Sequence, residues 1–496
     1  MNALPGALLN PLFGPLAPWF DPLLGVLMIP LVAAAILALL PGYRISAGLN
    51  TVASFMSLAC AVSLLFDRPP PHQFLMVDDF NIVFILLNTF IGFTTSAFSA
   101  SYIAHELETG RLSAWHLRFY HAMFQLMLFG MNLALIANNI GLMWVAVELA
   151  TLTTVLMVGI YRTHEALEAA WKYFILGSVG IALALFGTIL VYLAARPVIG
   201  EGMDAMVWTT LVANARGFDP SLLNIAFIFL LLGYGTKVGL APLHAWLPDA
   251  HAEGPTPISA VLSGLLLNVA LYALLRFKIL IAANASAIAP GPLLIGLGLL
   301  SLVFAGFMLY RRRDIKRMFA YSSIEHMGII VFAFGMAGPL GNLAGLLQMT
   351  MHSLTKSAIF FTVGHVTQVK GTQRMADMGG LTTTHPFLGW LLVAGVAAIA
   401  GLPPFGVFTS EFLVVTTTFA REPVLAVLFI FGLLLAFGAL LLRVTDVAFG
   451  EVKGPIGPAH ASYLPVIAHL SLVLAAGIWL PPPLVVWFQH VAALLG

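Results

Sequence analysis

Gly233-Tyr-Gly-Thr-Lys237-Val-Gly-Leu-Ala-Pro242-Leu-His244-Ala-Trp-Leu-Pro248 is the stretch whose reading decides the fold. An apolar run long enough to span hydrocarbon leads into it, and another follows from about residue 257. Pro242 between them has no amide to donate, and its ring clashes with the preceding turn, so the sequence predicts a broken helix. Broken backbone survives at membrane depth only when buried in protein or lining water. Lys237 stands just before the break, where a charge costs about 2.5 to 3.5 kcal/mol on insertion scales and commonly marks an ion route.

A second interruption of the same kind runs from Ala400 through Gly-Leu-Pro403-Pro404-Phe-Gly-Val-Phe-Thr-Ser to Glu411. Two interrupted apolar segments at matching places in two halves of a chain point to inverted repeats with ion sites near the midplane. The rest of the sequence fits that frame. The chain has 496 residues, 60% of them hydrophobic and 9% charged, with a mean hydropathy of +0.98, which predicts an all-α polytopic membrane protein. Apolar runs place about fourteen transmembrane helices, near 22–41, 47–66, 79–101, 118–137, 140–161, 166–195, 221–242, 257–283, 288–310, 316–337, 342–369, 387–418, 423–444 and 461–481. Spans four to eight (118–283) and nine to thirteen (284–445) form the two expected inverted five-helix repeats, each with a broken helix. Residues 1–117 supply three N-terminal helices and 446–496 a C-terminal helix and tail.

Of the 22 Lys and Arg residues, this segmentation leaves Lys237 and Lys356 deep inside spans. The others sort unevenly. Connections after odd-numbered spans hold the larger share, including Arg111, Arg162 and the run Arg311 to Arg317, by about 14 against 6. Cytoplasmic loops carry the excess, so both termini are expected on the outer face of a bacterial inner membrane. Met1 to Asp21 contains no Lys or Arg, so a cleavable signal is not expected and the segment reads as retained. A net charge of +1 gives no case for nucleic-acid binding. Cys60 is the one cysteine, so the chain by itself builds no disulfide, iron–sulfur cluster or thiolate zinc site. Walker and dinucleotide motifs are absent, so fuel chemistry is expected in a partner.

Several motifs resemble a known family. Trp144-Val-Ala-Val-Glu148-Leu, Thr236-Lys237 through His244-Ala-Trp-Leu-Pro-Asp249-Ala-His251, Tyr321-Ser-Ser-Ile-Glu325-His326-Met-Gly and Ser410-Glu411-Phe-Leu are similar to the antiporter-like membrane subunits of respiratory complex I, Mrp sodium/proton antiporters and membrane-bound nickel–iron hydrogenases. The resemblance extends from about span three to span thirteen. The wording from Glu148 through Lys172-Tyr-Phe-Ile-Leu-Gly-Ser looks most like the F-type component of hydrogenase-4 and formate hydrogenlyase complexes. It implies a proton-translocating subunit with no redox centre of its own. Iron–sulfur clusters, and in the hydrogenase case a nickel–iron site, would lie in peripheral partner subunits, with related antiporter-like subunits, lipid and protons as the other partners.

The resemblance also implies roles for single residues. Glu148 of the fifth span pairs with Lys237 of the seventh; a carboxylate stabilises the charged form of a desolvated lysine, so withdrawing it favours proton release. Ser322, Ser323 and His326 share a face of the tenth span, and His352 and Lys356 share one on the eleventh, giving a central polar axis in which His326 and Lys356 relay protons. Glu411, beyond the second break, forms the exit; capping of the resumed half-helix is its other reading. Asn268 stands where several respiratory relatives carry lysine, and it cannot hold an extra proton. Glu325 is an added acid that compensates or points elsewhere. Lys172 either reaches Glu148 or snorkels. His244, Asp249, His251 and Glu253 lack metal-binding spacing and read as a hydrogen-bonded turn at the cytoplasmic mouth. Other readings are a sodium/proton antiporter subunit, a non-conducting scaffold whose polar residues only lock helices together, and a haem carrier through His352 and His365, for which no facing histidine pair is evident.

Overall fold

The computed structural model describes residues 21–496, so the expectation for the N-terminal segment lies, Asp21 apart, outside the described residues. Here the chain is helical, with isolated bridges such as Leu75 with Ala137 between connections. The long helices are α1 (Pro22–Leu39), α2 (Tyr43–Ser63), α3 (Asp79–Glu108), α4 (Ala114–Ile136), α5 (Ile140–Val158), α6 (His164–Ile199), α7 (Pro220–Val238) and α8 (Thr256–Ala282). They continue as α9 (Pro290–Arg311), α10 (Ile315–Met336), α11 (Gly338–Lys370), α12 (Pro386–Ile399), α13 (Gly406–Arg421), α14 (Pro423–Phe449), α15 (Leu464–Ile478) and α16 (Pro482–Leu494). Their starts follow from local chemistry. Asp21 and Asp219 accept backbone N–H groups at the openings of α1 and α7, each followed by proline in the first turn, and Asp78 with Asn81 closes a reciprocal cap on α3.

Among the described residues, eleven helices are long and apolar enough to cross a membrane, or twelve if the bent pair α15 and α16 counts as one. Fourteen spans were expected, and three segments account for the difference. Helix α11 has the length, 33 residues, but carries Gln348, His352 and Lys356 along its middle. The run 387–418 is two short helices, α12 and α13, parted by Pro403 and Pro404. The last run stops at Ile478, and after Pro481 the chain turns by 85° into α16.

Burial sorts the helices into a column and a coat. The apolar windows of α8 and α10 are wholly buried, whereas those of α9 and α14 are only 39% and 33% buried. Helix α11 completes the column, packing against α8, α10, α12, α13, α15 and α16. The coat turns Phe412, Leu434 and Trp390 outward, the apolar exterior that lipid requires. Glycines set the closest approaches: a Cβ on Gly233 of α7 would meet the backbone of α6 at Ala184, and one on Gly298 of α9 would meet Phe332 of α10. Small residues let helix backbones touch where lipid supplies no hydrophobic drive. Helix α8 contains a π-turn, Leu262–Leu266, the kind of irregularity frequent at functional sites.

Candidate functional site

Helix α7 ends at Val238, four residues before Pro242, where the ring would otherwise collide with the turn. Gly239 closes the helix at φ +80°, a conformation that costs glycine little. The last full turn therefore presents Lys237 inward, 1% exposed. Its Nζ donates to Glu148 Oε2 at 3.1 Å and to Thr151 Oγ1 at 3.0 Å, both on α5. Glu148 keeps 18% of its side chain accessible. The expected pair is present, and Thr151, one turn beyond Glu148, is a third member that the sequence reading missed.

At the second break, α12 stops at Ile399 and α13 resumes at Gly406, with Pro403 and Pro404 between; Gly401 takes φ +66°. The peptides Ala241–Pro242 and Pro403–Pro404 are both cis. Glu411, on the second turn of α13, does not cap that helix. Its Oε1 lies 3.7 Å from His326 Nδ1 and accepts from Gln348 Nε2 at 3.4 Å. His326 Nε2 lies 3.0 Å from the Ile399 carbonyl and 3.3 Å from Glu325 Oε2. Gln348 contacts His326 Nδ1 at 3.0 Å and accepts from Ser410. The structure thus draws Glu325, His326 and Glu411 into one buried cluster against the break, with Gln348 as its hub. Gln348 had a signal in the sequence: it precedes His352 and Lys356 by four and eight residues on one face of α11.

Helices α10 and α11 do face each other. The rings of His326 and His352 are 5.7 Å apart, and Lys356 Nζ donates to the Phe319 carbonyl at 3.0 Å. Ser323 is bonded to Ser263 on α8 at 2.7 Å, and Ser322 is buried one turn before Glu325. Asn268 donates to the Met349 carbonyl at 3.0 Å and to Ser353 Oγ at 2.6 Å, fastening α8 beside its π-turn to α11. Both ring nitrogens of His352 are buried without a hydrogen-bond partner.

Other expectations need correction. Lys172 does not reach Glu148; half exposed, it pairs with Glu168 at 2.6 Å and Asp249 at 3.1 Å. The segment read as a turn is a short helix, Leu247–Glu253, because proline is tolerated in a first helical turn, where Pro248 lies. It presents Asp249 and Glu253 together to Arg317, at 2.6 and 3.2 Å. His244 instead packs against Phe304 with ring centroids 4.8 Å apart, and burial, helped by nearby Arg312, holds its imidazole below the usual range. His251 is wholly buried and stacks on Phe360 at 4.8 Å, with neither ring nitrogen bonded. Burial, then Lys316 and Lys356, push its imidazole well below the ordinary value. Lys237 and Lys356 are not the only interior cations either: Arg276, Lys278, Lys316 and Lys370 are also buried. Arg276 pairs with Asp78 at 2.7 Å, and Lys316 donates to the Ala252 and Gly254 carbonyls at 2.9 and 2.6 Å.

Residues 137–436, which hold both breaks and every residue of the two clusters, match the family model described as NADH:quinone oxidoreductase/Mrp antiporter, TM. The chain belongs to that antiporter-like membrane family. A hydrogenase-4 component F homolog of Methylacidiphilum infernorum is 63% identical over 95% of this chain and 99% of its own length. An NAD(P)H-quinone oxidoreductase chain 4 of Gloeobacter violaceus is 30% identical over 69% of this chain and 65% of its own. Among solved structures, an archaeal membrane-bound sulfane sulfur reductase superposes at TM-score 0.86, 23% identical, over 96% of this chain and 98% of the other. The Mrp complex of Dietzia sp. superposes at 0.81, 18% identical, over 95% and 96%. These two establish a shared fold. The antiporter-like chain is therefore a multi-span membrane protein, as the composition indicated.

Proposed function

We propose that this chain is an integral subunit that moves protons across the membrane, driven by electron transfer in partner subunits of a hydrogenase, formate hydrogenlyase or complex I-like assembly. One observation carries the reading: each helix break is flanked by buried or largely buried ionisable side chains, Glu148 with Lys237 at the first and Glu325, His326 and Glu411 at the second. Buried charge beside broken backbone is costly and is retained where ions pass. The proton enters near Glu148 and Lys237, passes along His326, His352 and Lys356, with His251 extending that axis, and leaves by Glu411. The energetic scale is about 2.3 kcal/mol per charge moved against 100 mV, which a partner has to supply. In such an assembly the iron–sulfur and nickel–iron chemistry lies in those partners and not in this chain.

In this reading α11 and the two broken or bent helix pairs complete fourteen crossings, α4–α8 and α9–α14 are the inverted repeats, and both termini lie on the outer face of the inner membrane. The test is proton translocation per electron by the intact complex in sealed vesicles, wild type against Lys237→Ala at matched assembly. Loss of pumping is expected; an unchanged ratio means that the chain is a scaffold. A sodium/proton antiporter reading has its own support, because one ligand atom each from Glu325, His326 and Glu411 lie within 4.8 Å of one another, a grouping able to hold a cation. Sodium-dependent proton movement would select it.

A further inference from the structure

A polar cavity of about 730 Å³ opens between the end of α3, the start of α10 and the end of α11, with Glu106, Arg111, Lys316 and Gln368 in its wall. The relay described above does not use it. His105 stands in the same wall, near the end of α3, and the ring of His460, from the connection between α14 and α15, stacks on it with centroids 4.1 Å apart and planes 14° from parallel. Glu108 lies three residues further along α3. One ligand atom from each of these three residues falls within 4.8 Å of the other two.

The connection is held in place by contacts on both sides of His460. Gly457 N donates to the Val369 carbonyl at 3.2 Å, Ser462 N donates to Ser101 Oγ at 3.1 Å, and Tyr463 stacks on His365 at 4.2 Å. His105 Nδ1 is buried and has no hydrogen-bond partner. The neighbouring cation, Arg111, is engaged by Glu106 at 3.2 Å.

We propose that His105, Glu108 and His460 form a binding site for a divalent transition metal of the Zn²⁺ class, whose occupation straps the α14–α15 connection onto α3 and narrows the mouth of the polar cavity. The donor set selects the ion. Two imidazole nitrogens and one carboxylate suit Zn²⁺ and its first-row neighbours and leave a fourth position for water, whereas Mg²⁺ and Ca²⁺ require oxygen ligands. Imidazole lone pairs lie in the ring plane, so near-parallel rings cannot both point at one ion. Exposed His460 turns about its Cβ–Cγ bond on binding, while half-buried His105 stays.

The test is Zn²⁺ titration of the full-length chain in detergent against a chelating dye, which reads binding without any transport assay and so fails or succeeds independently of the proton reading. Wild type is expected to compete with the dye for one equivalent of Zn²⁺. His105→Ala and His460→Ala should each weaken that equivalent at least tenfold, and millimolar Mg²⁺ should not displace it. His460 is exposed, so its replacement leaves folding intact. Failure of the wild type to compete, or equal Zn²⁺ affinity in wild type and His460→Ala, overturns the site.

Discussion

Gly177 on α6 lies directly over the Lys237 ammonium: a Cβ built there would stand 3.1 Å from Nζ. The absence of a side chain is what lets Lys237 extend to Glu148 and Thr151 in the packed interior. Gly177→Ala should displace the ammonium by a few tenths of an ångström with little loss of stability, since the neighbour is the flexible end of a side chain. Gly233→Ala should destabilise by about 1–3 kcal/mol, because there the new methyl meets the α6 backbone. Thermal unfolding in detergent separates the two, and a fall in proton translocation for Gly177→Ala at near-normal stability would locate the effect at Lys237.

The two halves of the Lys237 pair should not be equivalent on removal. Glu148→Gln leaves a buried ammonium facing only Thr151 and a neutral amide, whereas Lys237→Met removes the charge from the drier position and leaves a carboxylate that retains some access. Breaking a buried pair by removing one partner costs about 3–5 kcal/mol, and the low end applies because Glu148 is partly accessible. Glu148→Gln is thus expected to lower stability by about 3 kcal/mol, more than Lys237→Met does, with both losing translocation. Equal unfolding midpoints for the two variants would overturn this asymmetry, and midpoints equal to that of the wild type would show that the pair contributes no net stability.

Much of this was legible in the sequence, for a physical reason. Proline and buried charge act locally, so Pro242, Pro403, Lys237 and Glu411 announce broken helices and costly side chains without knowledge of the fold. The Glu148–Lys237 contact needed the family resemblance as well, since no spacing rule relates α5 to α7. What stayed hidden depends on which faces meet. Gln348, a neutral amide, carries no desolvation alarm, yet three helices converge on it. Lys172 reads as a relay candidate until Asp249 appears beside it, and Asp249 is placed by a short helix that two prolines disguised as a turn. Lys316 and Arg276 lie near span ends and looked like loop charges; backbone carbonyls and Asp78 draw them inside.

Gln348 gives the sharpest test of the second cluster. Gln348→Leu keeps volume but removes the donor to His326 and Glu411 and the acceptor for Ser410. Each buried polar group left without a partner costs about 1–3 kcal/mol, so a loss of at least ~2 kcal/mol in stability is expected. Gln348→Glu restores an acceptor for Ser410 yet brings a third carboxyl to Glu325 and Glu411. Translocation should fall in both variants, and normal translocation in both would remove Gln348 from the route.

His251 lies outside the spanning helices and titrates in a definite direction. Burial first, then Lys316 and Lys356, hold its imidazole well below the usual value, so the folded chain keeps it neutral while the unfolded chain protonates it near pH 6.5. The unfolded state therefore binds the additional proton, and stability rises with pH. The contribution is complete above about pH 6.5 and is lost progressively as pH falls below that value. His251→Gln cannot take up that proton. The stability difference between wild type and His251→Gln, measured in detergent from pH 8 to 5, should shift against the wild type below pH 6.5 by as much as ~1.4 kcal/mol per pH unit. A difference independent of pH over that range would mean that His251 is protonated equally in the folded and unfolded chain, and that Lys316 and Lys356 do not act on it.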